Sequence, residues 1–164
     1  MSARAVSVSV LVLAVFTAAA CGRDESAMPT PKTVPATADS GHAHEAPHGG
    51  TLVELGDHFG FLELVLDAEA GSLTTYVLDG AAEQAVRVAQ PSIDVVFDSP
   101  SGLAGRTLQL TGRANVLTGE TAGDTSEFVV AHDSLKGQSA FTARVVEVHV
   151  KGQTFRDLTV IRQP

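Results

Sequence analysis

The chain has one cysteine, no tryptophan and a single tyrosine among its 164 residues. With no second thiol, Cys21 has no partner within the chain, and an unpaired thiol in an oxidising compartment is a liability unless it is modified. Thiolate and thioether ligands are nearly missing as well, which excludes a soft site selective for Cu(I). The shortage of aromatics removes the flat platforms on which nucleic-acid bases and sugar rings stack. Basic residues are outnumbered, with 11 Lys and Arg against 19 Asp and Glu for a formal net charge of -8. None of them clusters into the stripe that phosphate binding requires, so no nucleic-acid partner is expected. Also missing are the G-x-S-x-G elbow, the P-loop and the dinucleotide fingerprint, and no enzymatic activity is expected.

Long apolar runs are limited to one, Val6 through Ala20 behind Arg4. It is shorter than the roughly 20 residues of a membrane span and ends in small residues, as a secretory cleavage site does. Residues 1–20 therefore read as a signal peptide, and the mature remainder is more acidic still, because the segment removes Arg4 and no acid. Its end, Ala18-Ala19-Ala20-Cys21-Gly22, resembles the lipobox of bacterial lipoproteins, although Ala18 stands where Leu is commonest. The resemblance implies an acylated Cys21 as the first mature residue and a membrane reached through that lipid. Gly22 in place of an Asp favours the outer membrane where the organism has two.

Residues 21–48 read as the lipid anchor and a disordered His-containing tether. Four of the seven prolines lie between Gly22 and Pro47, with no helical or strand periodicity. A flexible chain from Cys21 to His42 would span roughly 25 Å, holding the domain close to the membrane.

From residue 49 to residue 164 the pattern changes to short runs of Val, Leu, Thr and Phe separated by Gly, Asp, Ser and Asn. Strands are expected at 51–55, 61–67, 73–78, 85–88, 93–98, 107–110, 127–131, 141–150 and 154–161. Leu62, Leu64 and Leu66 fall on one face, Glu63 and Asp67 on the other. In the last hairpin Val146, Val148 and Val150 share a face, and Lys151-Gly152 reverses the chain. The spacing predicts an all-β fold, a small antiparallel β-sandwich of seven or eight strands with immunoglobulin-like architecture. At most one helical turn is expected, near Ser134–Ser139.

The stretch from His48-Gly49-Gly50 through Gly56, with the segments 62–67 and 75–80, resembles a group of bacterial envelope proteins whose β domain begins with PHGG, some of them associated with heavy-metal efflux. That resemblance implies metal handling and an envelope or efflux protein as partner. The chain departs from the group in having Phe61, Leu66 and Ala81 where relatives often carry His.

Six histidines are present, and His42, His44 and His48 fall within seven residues. Neutral imidazoles beside Glu45 suit Zn(II), Cu(II) or Ni(II). His58, in the Gly56-Asp57-His58 turn, is a candidate fourth ligand. His132 and His149 read as solvated positions. The string His44-Glu45-Ala46-Pro47-His48 matches H-E-x-x-H formally, but Pro47 and the flanking glycines oppose the helix that a zinc protease needs. Two functions remain: an envelope lipoprotein binding or buffering divalent transition metal in support of efflux, or a structural or interaction module of the envelope whose histidines have no role.

Overall fold

The computed structural model describes residues 44–100 and 102–164. Cys21, His42 and the segments read as signal peptide and tether up to residue 43 lie outside the described residues. The described residues form eight strands: β1 (Thr51–Leu55), β2 (Gly60–Asp67), β3 (Ser72–Leu78), β4 (Ser92–Ser99), β5 (Thr107–Gly112), β6 (Glu127–Ala131), β7 (Phe141–Val150) and β8 (Gln153–Arg162). The all-β, antiparallel expectation holds. The strands join in one hydrogen-bonded sheet of order β1-β2-β3-β6-β5-β4-β7-β8. That sheet curls until its two edge strands lie side by side, so it is close to a barrel.

Alternation sets the interior. Leu62, Leu64 and Leu66 of β2 point inward against Leu73 and Val77 of β3, and Ile93, Val95 and Phe97 of β4 continue the core. Phe97 and Phe128 are fully buried, and the Phe97 ring meets Phe141 edge-on at 5.5 Å. A smaller apolar cluster of Phe61, Leu78 and Ala82, with Leu52 and Tyr76 against it, covers the outside of the first three strands.

Two expectations are corrected. Residues 85–88 are no strand: Ala85 bridges to Leu78 and Val88 to Thr125, so successive residues change partner and no ladder develops. This stretch crosses one end of the barrel. In the last hairpin, Val146 does not share the face of Val148 and Val150. The β7–β8 ladder runs regularly on both sides but omits Val146 and Asp157, and Asp157 takes a left-handed φ of 52°. Inward positions accordingly shift from Phe141, Ala143 and Val145 to Val148 and Val150, leaving Val146 exposed. The expected helical turn shrinks to a 3-10 turn at Asp133–Leu135, capped by His132 Nδ1, which accepts the Ser134 N–H.

The loop between β5 and β6 stands away from the barrel. Asn115 and Glu120 pair across it, the Leu117 N–H donates to Asn115 Oδ1, and Arg87 donates to Gly119 O and Asp124. At its tip Val116 and Leu117 are each 93% exposed.

Candidate metal centre

Residues 44–50, the last five residues of the segment read as a tether and the first two of the domain, form a strap over the outer face of β2. Its turn is closed by the Gly49 N–H donating to Ala46 O. Residues 44–48 are not helical, so His44 and His48 do not share a helical face and point to different partners.

His48 is held by Glu63, whose side chain is completely buried although it projects from the face of β2 opposite the core. His48 Nδ1 lies 2.7 Å from Glu63 Oε2, and the N–H groups of His48 and Gly50 both donate to Oε1 at 2.8 Å. On its other side the imidazole stacks on Tyr76, with ring centroids 3.8 Å apart and planes inclined by 13°. Burial pushes the Tyr76 phenol above its ordinary value, and the negative charge of nearby Glu127 adds to the effect.

His44 travels further along the sheet to the β1–β2 turn. Its ring packs on Phe61 at 4.8 Å and edge-on to His58 at 5.7 Å. His44 Nδ1 lies 3.1 Å from Ala81 O, which fixes Nδ1 as the protonated nitrogen, since a carbonyl can only accept. In the neutral ring Nε2 then carries a lone pair, and among the described residues it is buried with no hydrogen-bond partner. A neutral imidazole held through Nδ1–H by a carbonyl, its other nitrogen bare, is the form in which histidine binds metal.

The β1–β2 turn supplies the other groups. Its backbone reverses through Gly56 and through His58 at a left-handed φ of 50°, a conformation histidine tolerates better than most residues. The His58 N–H donates to Glu54 Oε1 at 2.8 Å, and His58 Nδ1 is 3.5 Å from the same oxygen. Ligand atoms of Glu54, Asp57 and His58 all lie within 4.8 Å of one another. Two ligands bound at about 2.1 Å at a tetrahedral angle sit about 3.4 Å apart, so the His58–Glu54 spacing matches shared coordination and Asp57 needs only a small approach.

The loop after β3 holds the strap's far end. Asp79 Oδ1 accepts the N–H groups of Ala81, Glu83 and Gln84. Gly80 approaches so closely that an added Cβ would lie 2.1 Å from His58 O, and this contact brings the loop against the β1–β2 turn. Strap and loop, through His44, Glu45, Ala46, Pro47, Ala81, Ala82 and Glu83, line an open groove. The Glu83 N–H, helped by those of Gln84 and Ala81, holds the Asp79 carboxyl below its usual range against the opposing effect of burial. A depressed folded pKa stabilises fully above the unfolded value of about 3.9, and that contribution disappears as pH falls through the folded value. Asp79→Asn should therefore flatten the loss of thermal stability below about pH 4, as read by unfolding scans between pH 7 and pH 2.

Of the four histidines singled out by sequence, His44 and His58 meet, His48 is engaged by Glu63, and His42 lies outside the described residues. Glu54, Asp57 and Glu63 were not singled out as site residues. His149 bonds Glu147 and Thr154 on the exposed face of the last hairpin. Comparison with protein-family models, with curated proteins and with solved structures finds no match.

Proposed function

We propose that the chain is a non-enzymatic lipoprotein of the cell envelope, anchored through Cys21, that binds or buffers a divalent transition metal ion in support of efflux. The observation that carries this reading is the cluster of Glu54, Asp57 and His58 ligand atoms in the β1–β2 turn, with the His44 ring, whose Nε2 is buried and without a hydrogen-bond partner among the described residues, packed edge-on against His58. Two imidazoles and two carboxylates form a borderline-to-hard donor set, suited to Zn(II), Cu(II) or Ni(II) and poor for Cu(I).

The anchor and the metal are tested separately. Cys21→Ser should leave an unprocessed, unlipidated chain that no longer needs detergent for extraction from the membrane pellet; unchanged detergent dependence would remove the anchor. For the metal, Zn(II) titrated calorimetrically into the chain should bind at one ion per chain, and the absence of saturable binding would remove the centre.

One observation favours the second reading, an envelope interaction module: the hydrogen-bonded β5–β6 loop that presents Val116 and Leu117 to solvent. Replacing both with Ser should change folding stability by no more than about 0.5 kcal/mol, because neither is buried. Under this second reading the same variant loses association with an envelope partner in crosslinking on intact cells, and under the metal reading it retains Zn(II) binding.

A further inference from the structure

The strap is docked in a way that the metal ligands alone do not require. A fully buried carboxylate is costly unless it is paired and hydrogen-bonded. Among the described residues, every hydrogen bond to the Glu63 side chain comes from the strap: two backbone N–H groups and one imidazole, from His48 and Gly50. Gly50 fits only because it lacks a side chain, since an added Cβ would lie 2.6 Å from Leu64 O and 2.8 Å from Glu63 Cγ. Tyr76 completes the seat by stacking on His48. Four residues before His48, the same segment delivers His44 to Ala81 O and to the side of His58.

We propose that Glu63 is the docking site for the chain's own segment 44–50, and that this docking sets the affinity of the metal centre by positioning His44. The inference rests on the metal reading for its second half. Glu63 touches none of the proposed ligands and acts through the strap, as a positioning residue. Seating the strap removes most of the freedom that His44 would otherwise lose on binding an ion. Linkage makes the effect reciprocal: an ion that binds better with the strap seated must hold the strap down by the same factor. The strap is then a clasp closed jointly by a buried carboxylate at one end and by metal at the other.

The test uses the full chain, Zn(II) alone as the probe, and two readouts: hydrogen exchange at the His48 and Gly50 amides, and Zn(II) affinity by calorimetry. Gly50→Ala should unseat the strap without altering any charge or ligand. We expect faster exchange at residue 48 and its neighbours in the metal-free chain, and Zn(II) affinity lowered about 10-fold or more, the range typical when a partner that orients a ligand is lost. In a His44→Ala background the same substitution should leave Zn(II) affinity unchanged, an outcome that general damage to the fold would not give. In the unaltered chain, saturating Zn(II) should slow exchange at both amides. Glu63→Gln keeps an acceptor for the amides and should shift both readouts in the same direction by less. If either variant fails to fold, His48→Ala, whose ring is partly exposed, carries the same expectations. Exchange that stays slow in these variants overturns the docking role. Fast exchange with unchanged Zn(II) affinity overturns the coupling and leaves the metal centre standing. Failure of the unaltered chain to bind Zn(II) removes both the centre and the coupling, while the exchange data still judge Glu63 as the strap's seat.

Discussion

Phe97→Ala should destabilise the domain by about 3–5 kcal/mol, the range for deleting a buried aromatic ring. The ring is fully buried inside the curled sheet, and its removal also deletes the edge-on contact with Phe141. Single domains are stable by roughly 5–15 kcal/mol, so the substitution removes a large share of the margin. For a domain of this size the loss corresponds to a fall in Tm of roughly 10–20 °C. Thermal unfolding followed by far-UV circular dichroism reads it. A fall of only a few degrees would mean that β4 does not line the core as described. The contrast with Val116 and Leu117 is informative, since the apolar character is similar and burial alone separates the two expectations.

The second large effect concerns the metal. Replacing His44 and His58 together by Ala should weaken Zn(II) binding by at least about 100-fold, since partners that merely orient a ligand are already worth 10- to 100-fold. Each single variant should account for a substantial part of the loss. His132→Ala and His149→Ala should leave affinity unchanged, because His132 caps a turn and His149 bonds Glu147 and Thr154. Competition titrations with a chromophoric chelator measure the five variants and the unaltered chain on one scale. Equal affinities throughout would return the histidines to the role of solvated residues.

Much of the fold was legible because it follows from a period of two. Leu62, Leu64 and Leu66 alternate strictly, turn residues separate the runs, and eight of the nine expected strands lie within two residues of their observed bounds. The misses share a cause, which is that alternation describes a strand and says nothing of what covers its far side. Glu63 stands on the face opposite the leucines and so reads as solvated, yet the strap buries it completely. Pro47 and the glycines around His48 marked a break from regular structure; they carried no sign that a break can still be seated on a sheet. Val146 fits the alternation of Val148 and Val150 in one dimension, and only the bend at Asp157 moves it outside. Residues 85–88 have strand composition but switch neighbours at each step while crossing the barrel end.

The site was legible in its chemistry and not in its geometry. Three histidines close together in sequence suggested one cluster, whereas distance along the chain is a poor guide once Glu63 takes His48 aside. His58, fourteen residues from His44, is the imidazole that His44 meets. The Glu54 and Asp57 carboxylates follow from the tight β1–β2 turn, where a short loop brings side chains at i and i+4 together. Read with Glu54 included, the Gly56-Asp57-His58 turn supplies the two carboxylates that join His44 and His58 in the proposed set.

The measurement that bears most directly on the metal centre is nitrogen NMR of the imidazole rings during a Zn(II) titration of the full chain, because each histidine reports its own ring nitrogens. The centre described here predicts that one equivalent of Zn(II) shifts His44 Nε2 and the His58 ring together, while His48 keeps the signature of a ring bonded to Glu63. Changes confined to His42 and His48, or no change at any ring after one equivalent, would contradict it.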